Sequence, residues 1–270
     1  MAHPIGLAAL TVLELSPPDM VSCAHEAGFD AVGLRLLPAT AEELQHPMVG
    51  DTPLVRETAR RLADTGVPVL DIEIFRLKPD LVVASYRAAL ATGARLGARE
   101  ALVAGNDPDE ARLIDNFAAF CELAAEFGIG ANLEPMPWTD VKTFADGARI
   151  VAAAARPNGG VLLDPIHFDR AGCAVADIAQ VPTARLRYMQ LCDAPTERPR
   201  DTPTLLFQAR AERLMPGDGG LDLAGMVRAM PPDTPLSIEI PMRALTQTLP
   251  AVPRTRRMLE KTRALLVRLE

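Results

Sequence analysis

VLLDPIHFDRAG, residues 161–172, is the segment from which the fold of this chain can be worked out. It begins with an unbroken apolar run, residues 161–163, which is typical of a strand buried on both faces of a sheet. A carboxylate at the end of such a strand is costly to bury unless a partner compensates its charge. The segment therefore predicts a strand that carries Asp164, and His167 three residues later, into a polar site.

Three further apolar runs end in an oxygen-bearing side chain in the same way. Their sequences are ANLEP at Glu134, RYMQLCD at Gln190 and LSIEIP at Glu239. The carboxyl ends of neighbouring parallel strands meet at one edge of a sheet or at one mouth of a barrel. The repetition therefore predicts that these three side chains and Asp164 form a ring of oxygen ligands for a metal ion.

Strand-like and helix-like segments alternate eight times along the 270 residues, at about 34 residues per unit. Strict alternation with buried-type strands favours a parallel sheet, and eight units favour a closed α/β barrel of the (β/α)8 type. An open dinucleotide-binding sheet would need a glycine-rich turn after the first strand, and residues 11–19, TVLELSPPD, contain no glycine. We see no linker and expect one domain over residues 1–270.

The apolar runs and the helix signals give approximate bounds for these elements. The predicted strands cover residues 5–10, 31–36, 68–75, 100–106, 129–135, 160–168, 186–193 and 236–241. The predicted helices cover residues 18–27, 53–65, 80–96, 108–127, 143–155, 171–179, 221–230 and 253–270. The stretch from residue 194 to residue 220 is rich in proline and arginine and is expected to be a long loop.

Charge and cysteine content narrow the class of protein. The net charge is −7 and the charges are interspersed, which argues against a nucleic-acid-binding surface. The four cysteines form no CxxC pair and are expected to be reduced thiols. The N-terminus lacks a positively charged signal region, and no apolar run approaches the roughly 18 residues of a membrane span. We therefore expect a cytoplasmic protein that acts on a small molecule, with neither a nucleic acid nor a membrane as partner.

The predicted ligands supply three carboxylates and one amide oxygen. An all-oxygen set suits Mn²⁺ or Mg²⁺ better than Zn²⁺, which favours imidazole and thiolate ligands. We therefore expect one divalent metal ion, with Co²⁺ and Zn²⁺ as alternatives. Three other polar residues at predicted strand ends, Glu73, Asn106 and Asp193, are candidates for substrate binding. Trp138 is a candidate wall for a ring-shaped ligand.

Five segments, in chain order, carry a resemblance to a known family. NLEPMPWT, LLDPIHFDRAG, YMQLCDAP, RLMPGDGGLDL and LSIEIPM resemble the sugar-phosphate isomerase/epimerase superfamily of xylose-isomerase-like TIM barrels. The motifs cover the second half of the chain, and the first half fits by general pattern. The resemblance implies one divalent metal, held by Glu134, Asp164, Gln190 and Glu239. It also implies that the two glutamates act as acid and base on opposite faces of a substrate carbon, beside a carbonyl that the metal polarises.

The resemblance extends to two residues outside the four predicted metal ligands, and it fails at one of those four positions. His167 and Arg213 match residues that contact substrate oxygens in the superfamily. At position 190 the superfamily usually has a histidine, whereas this chain has glutamine. A neutral amide oxygen is a weaker ligand than imidazole, so the substitution predicts a lower metal affinity.

The leading hypothesis for function is a metal-dependent isomerase or epimerase. It would abstract a proton next to a carbonyl of a small keto-sugar, polyol or hydroxy acid and proceed through an enediolate. A lyase of the dehydroshikimate- or inosose-dehydratase kind begins with the same step and stays open as an alternative. Gln190 also keeps a non-catalytic accessory barrel open, whereas phosphodiester hydrolysis, as in the endonuclease IV branch, needs more histidines than the four present.

Two further expectations concern the oligomer and the substrate. Barrels of this group often pair, which makes a homodimer the assembly to expect. The sequence has no evident cluster of Lys and Arg at the later strand ends. This favours a substrate without a phosphate group.

Overall fold

The computed structural model describes residues 3–269, and within them eight parallel strands form one sheet. The strands are β1 Ile5–Leu7, β2 Ala31–Arg35, β3 Val69–Leu77, β4 Glu100–Gly105, β5 Gly130–Glu134, β6 Gly159–Val161, β7 Met189–Leu191 and β8 Leu236–Ile238. Their order across the sheet is β6-β5-β4-β3-β2-β1-β8-β7. Consecutive strands are therefore neighbours everywhere, and β1 also pairs with β8.

The sheet closes on itself between β6 and β7. A parallel bridge pairs Leu163, just after β6, with Met189 in β7. The backbone N–H of Gln190 also donates to the carbonyl oxygen of Leu163 at 2.9 Å. Each connection from one strand to the next contains at least one helix. The prediction of a (β/α)8 barrel is therefore confirmed.

Helices surround the barrel. Within residues 3–269 they are α1 Pro17–Ala27, α2 Pro53–Thr65, α3 Arg87–Arg95, α4 Glu110–Ala125, α5 Phe144–Ala154, α6 Pro165–Arg170, α7 Val175–Ile178, α8 Thr202–Ala211, α9 Leu223–Ala229, α10 Arg243–Thr246 and α11 Ala251–Val267. Local sequence explains several of their ends. Proline occupies the first position of α1, and Gly28 ends that helix with a left-handed φ of 90°. In this described part of the chain, no helix is both long and apolar enough to cross a membrane.

Several predicted segments differ from the structure. The first predicted strand, residues 5–10, ends at Leu7 and is followed by a 3-10 helix, Ala9–Val12. The predicted strand over residues 160–168 is wrong after Asp164, because this aspartate caps α6 and a proline takes the first helical position. The predicted loop over residues 194–220 contains α8, whose N-cap Asp201 accepts a hydrogen bond from the backbone N–H of Thr204. The predicted helix over residues 80–96 begins only after a short 3-10 helix, Val83–Tyr86.

Two apolar clusters hold the barrel together. The larger one joins the strands to the surrounding helices and includes residues of both. The smaller one consists of eight buried residues that lie on strands or directly beside them: Ala31, Leu70, Ile74, Leu102, Ala104, Met136, Leu162 and Tyr188. Because helices cover the outer face of the sheet, we assign the smaller cluster to the barrel interior.

Polar side chains are also buried within the barrel, below the carboxyl ends of the strands. The hydroxyl of Tyr188 donates to Asp71 Oδ2 at 3.1 Å. Gly33 makes room for this aspartate, since a Cβ at that position would lie 2.5 Å from Asp71 Oδ1. Burial raises the pKa of Asp71 well above its ordinary value, and the charge of Glu73 raises it further.

Candidate active site and metal centre

A cavity of about 360 Å³ lies beside the carboxyl ends of the strands. Its size is in the range of pockets that hold small molecules. Six residues singled out from the sequence line it: Glu73, Glu134, Trp138, His167, Arg213 and Glu239. The barrel therefore brings residues from distant parts of the chain to one space, at the end where barrels of this type bind their substrates.

Asp164 links the end of the sixth strand to the cavity. Its Oδ1 accepts hydrogen bonds from the backbone N–H groups of Ile166, at 2.9 Å, and His167, at 3.4 Å. This cap fixes the start of α6, so that the imidazole of His167 returns toward the aspartate. His167 Nε2 lies 3.6 Å from Asp164 Oδ2 and 3.6 Å from Glu134 Oε1.

Glu134, Asp164 and His167 form a buried cluster whose candidate ligand atoms all lie within 4.8 Å of one another. Burial lowers the pKa of His167 to about 4, so the imidazole is neutral near pH 7. Burial raises the pKa of Glu134 well above its ordinary value, and the charges of Glu239 and Asp164 raise it further. The cluster therefore holds negative charge poorly until a cation joins it.

Arg213 is the cation that the chain itself supplies. Its Nη1 donates to Asp164 Oδ2 at 2.7 Å, and its Nη2 lies 2.8 Å from Glu239 Oε2. The side chain is almost fully buried and is also anchored by a hydrogen bond from Nε to the carbonyl of Ala209 at 2.7 Å. Although burial alone would raise the pKa of Asp164, the charge of Arg213, its hydrogen bond and the backbone N–H of His167 hold it below its ordinary value.

Gln190 and Glu239 are joined to each other. The amide nitrogen of Gln190 donates to Glu239 Oε1 at 2.9 Å. The amide oxygen of Gln190 is buried and has no hydrogen-bond partner among the residues described. Burial raises the pKa of Glu239 to about 8, with Arg213 opposing the rise. Both glutamates predicted to move protons therefore have pKa values above the ordinary value of a glutamate.

Glu73 lines the cavity but is tied to a neighbouring arginine. Its Oε2 accepts from Arg35 Nε at 2.9 Å, and Arg35 Nη1 reaches Glu43 at 3.1 Å. Arg35 therefore has two carboxylate partners. Through its Oε2, Glu73 helps to hold Arg35 at the cavity wall. Its other carboxylate oxygen, Oε1, is buried and has no hydrogen-bond partner within the described chain.

Two residues predicted to bind substrate do not line the cavity of the described structure. Asn106 accepts a hydrogen bond from Arg76 Nη1 at 2.9 Å and so orients a cavity arginine. Asp193 accepts from the backbone N–H groups of Gly217 and Gly219, both at 3.0 Å, and of Leu221 at 3.1 Å. The predicted substrate contacts of these two residues therefore stay predictions, and in this structure the amide oxygen of Asn106 and the carboxylate of Asp193 bond to protein partners.

Trp138 forms a wall of the cavity. Its ring packs edge-on against the imidazole of His167, with centroids 4.8 Å apart. The guanidinium carbon of Arg210 lies over the Trp138 ring, 5.5 Å from its centroid. The predicted wall position agrees with this geometry, and a flat apolar surface of this kind suits a ring-shaped ligand.

Two cavity arginines, Arg76 and Arg210, escaped the sequence analysis. Arg76 lies near the end of β3, three residues beyond Glu73, so the strand-end rule could have found it. Arg210 lies on α8, in the segment that was predicted to be a loop. With Arg35 and Arg213, they give the cavity four arginines, although the sequence has no evident cluster of Lys and Arg at the later strand ends.

The donor set fits a divalent metal ion. Glu134, Asp164 and His167 place candidate ligand atoms within 4.8 Å of one another, and the buried amide oxygen of Gln190, whose nitrogen bonds Glu239, has no partner among the described residues. Hard divalent cations take carboxylate and amide oxygens, and Mn²⁺ and Zn²⁺ also accept imidazole. Glu134, Asp164, Gln190 and Glu239 are the residues that would hold the ion, with His167 adjacent to it.

Fold and site together define a barrel with a candidate metal centre at the carboxyl ends of its strands. The family model of the xylose isomerase-like TIM barrel matches residues 21–265. The chain therefore belongs to the xylose isomerase-like TIM barrel family.

Individual relatives carry several enzyme names. A 3-dehydroshikimate dehydratase from Pseudomonas aeruginosa is 28% identical over 241 residues, which cover 83% of this chain and 36% of the relative. An inosose isomerase from Halalkalibacterium halodurans is 29% identical over 108 residues, or 39% of this chain and 36% of the relative. The chain thus spans about a third of the length of the curated relatives it matches.

A solved structure shares the fold over nearly the whole chain. The protein named IOLI, solved with a bound zinc atom, superposes with a TM-score of 0.79 at 16% identity, covering 99% of both chains. At this identity the likeness concerns the fold alone.

Proposed function

We propose that this chain is a divalent-metal-dependent enzyme that removes a proton next to the carbonyl of a small cyclic hydroxy-ketone and then expels water, as a dehydratase. The observation that carries the proposal is the position of Glu134 beside Asp164 and His167 in the cavity wall. The names of the most extensive curated matches favour water loss over isomerisation. Inosose isomerase matches less than half of the chain.

Glu134 is the group that takes the proton. Its carboxylate lines the cavity. Of the three carboxylates predicted as metal ligands, Glu134 is the one that forms no ion pair with Arg213 among the described residues. A base works best when its pKa lies near the working pH, and burial moves the pKa of Glu134 upward. A bound cation would lower that pKa again and leave the carboxylate ionised and ready to act.

The other cavity residues position the substrate and control its protonation. The neutral imidazole of His167, 3.6 Å from Glu134 Oε1, can donate or accept a hydrogen bond at a substrate oxygen. Trp138 lines the cavity and packs edge-on against His167, so it holds the imidazole in place. When bound, the metal supplies a Lewis acid that polarises the substrate carbonyl. After proton abstraction, Glu134 carries the proton that the departing hydroxyl needs.

Isomerisation or epimerisation is the second candidate. Glu134 and Glu239 line the same cavity and both have raised pKa values, which is the pair that proton exchange on two faces of one carbon requires. The two reactions share their first step. They differ in whether the hydroxyl next to the carbanion leaves or the proton returns.

The test uses purified protein with MnCl₂ and two ketones, 3-dehydroshikimate and an inosose, in deuterated water. NMR follows deuterium at the carbon next to the carbonyl and the formation of a dehydrated product. The proposal expects water loss from at least one ketone, and a fall of about 10²- to 10⁴-fold in Glu134→Gln. Glu42→Gln, which removes an exposed carboxylate at the cavity rim, is the matched control and should keep its rate.

The possible results separate the candidates. Deuterium uptake without water loss would favour the isomerase. Neither deuterium uptake nor water loss with a protein that binds Mn²⁺ would contradict both enzymatic readings for these ketones. Equal rates in Glu134→Gln and the unmodified protein would exclude Glu134 as the base.

A further inference from the structure

The cavity has a basic side that the proposed proton chemistry does not use. Four arginines line it: Arg35, Arg76, Arg210 and Arg213. Two of them are neutralised by carboxylates of the chain. Arg213 pairs with Asp164 and Glu239, and Arg35 pairs with Glu43 and Glu73.

Arg76 and Arg210 have no such partners among the described residues. Arg76 donates from Nε to the carbonyl of Ala39 at 3.1 Å and from Nη1 to the amide oxygen of Asn106 at 2.9 Å. Both acceptors are neutral, so they hold the guanidinium in place without compensating its charge. Arg210 faces the ring of Trp138, which is also uncharged.

The two guanidinium groups line the same cavity. Burial lowers the pKa of Arg76, and the positive charge of Arg210 lowers it further. Two like charges in a partly desolvated space repel each other, and the repulsion is relieved when an anion binds between them. A neutral ligand would instead cover the two charges and leave them unpaired, which is unfavourable.

We propose that Arg76 and Arg210 bind an anionic group of the substrate, a carboxylate or a phosphate monoester, in the cavity beside Trp138. This inference rests on the proposed function only in taking the cavity as the active site. The candidate base Glu134 would act on one part of the substrate while the arginines hold the other. Since arginine matches carboxylate and phosphate with paired N–H donors, the two side chains select substrates by charge.

The same geometry distinguishes between the ketones named by the relatives. 3-Dehydroshikimate carries a carboxylate on its ring, whereas an inosose is an uncharged polyol ketone. The unpaired arginines therefore favour the acidic substrate class. A site built to pair a charge discriminates strongly against ligands that lack it, because its own polar groups then stay unpaired.

The chain offers a direct reporter for binding at this position. Trp138 is the only tryptophan of the sequence, and the Arg210 guanidinium lies over its ring. Titrations of tryptophan fluorescence with three unreactive six-membered rings test the proposal: cyclohexanecarboxylate, cyclohexyl phosphate and cyclohexanecarboxamide. The amide has the shape of the carboxylate without its charge. Calorimetry with the same probes covers binding that leaves the fluorescence unchanged.

We expect at least one anionic probe to bind about 10-fold or more tightly than the amide, since only an anion forms charged hydrogen bonds with both guanidinium groups. The tighter of the two anions identifies the substrate group. Arg76→Met and Arg210→Met should each weaken anion binding by about 10- to 100-fold, whereas Arg210→Lys should restore part of it. Arg257→Met, which removes an exposed arginine of α11, should bind the probes like the unmodified chain.

Two results would overturn the proposal. One is equal affinity for the carboxylate and the amide, or no binding of any probe in calorimetry. The other is unchanged anion affinity in both methionine variants. Arg210 lies on the exposed side of α8, so Arg210→Met is expected to fold even if Arg76→Met does not. Because the probes do not react, failure of the proposed dehydration would leave this test intact.

Discussion

The guanidinium of Arg213 bridges Asp164 and Glu239, at 2.7 Å from the first carboxylate and 2.8 Å from the second. These two residues were predicted from the sequence as metal ligands. Without a metal ion, two buried carboxylates so close together would repel each other and would be protonated. Arg213 therefore stabilises the candidate ligand set in the metal-free protein. This role is additional to the substrate contact that the sequence predicts for Arg213.

Replacing Arg213 by methionine should destabilise the metal-free protein. The variant leaves two carboxyl groups buried without their cation, and breaking a buried ion pair of this kind costs about 3–5 kcal/mol. Urea denaturation with a chelator present measures the change. Arg257→Met, an exposed site, should differ from the unmodified chain by less than about 0.5 kcal/mol. Equal midpoints for Arg213→Met and the unmodified chain would show that the bridge is not stabilising.

The fold could be predicted from the sequence because its signals are repeated. Eight apolar runs alternate with helices, and an error in one element does not change the architecture. The strand ends Glu134 and Glu239 follow from the same rule, since residues at the carboxyl ends of barrel strands share one mouth. Their placement in one cavity could therefore be expected before any contact was known.

Other parts of the site could not be predicted because they depend on tertiary contacts. The sequence around Asp164 suits a strand by composition, but its side chain satisfies backbone N–H groups and starts a helix. Arg210 enters the site on a helix with little apolar patterning, in a segment rich in proline. Asn106 orients Arg76, and Asp193 orders the loop that contains Gly217. Both roles depend on partners that are distant along the chain. The single-domain organisation, the homodimer and the cytoplasmic location remain predictions.

Substitutions at Gln190 should change metal affinity in opposite directions. Gln190→His introduces the imidazole that the superfamily usually has, and it should tighten Mn²⁺ binding by about 10-fold. Gln190→Leu removes the amide oxygen and should weaken binding by about 10- to 100-fold. Calorimetric titration of chelator-treated protein measures both. If Gln190→Leu binds Mn²⁺ as tightly as the unmodified chain, the amide is not a ligand and serves only to hold Glu239.

Asp193→Asn should loosen the loop that follows α8. The carboxylate accepts backbone hydrogen bonds from Gly217, Gly219 and Leu221, and Asn offers only one acceptor oxygen. Unpaired buried N–H groups cost about 1–3 kcal/mol. We expect a lower urea midpoint and faster proteolytic cleavage within residues 215–221. Exposed Asp80→Asn should leave both unchanged, and an equally protected loop in Asp193→Asn would contradict the assigned role.

Asp71→Asn should remove a pH dependence from folding stability. Burial, and then the charge of Glu73, raises the folded-state pKa of Asp71 well above the unfolded value. A carboxyl group with a raised folded-state pKa stabilises the fold fully below its unfolded pKa, and this stabilisation is lost as the pH rises toward and through the folded-state pKa. Asparagine keeps the shape and cannot ionise.

The variant should therefore gain stability relative to the unmodified chain as the pH increases from about 5 to about 9. Urea unfolding at a series of pH values, with a chelator present, gives the difference in the free energy of unfolding. Asp80→Asn again serves as the control for the loss of one surface charge. A constant difference for Asp71→Asn across the series would mean that Asp71 keeps one protonation state throughout, with the hydrogen bond from Tyr188 holding it ionised.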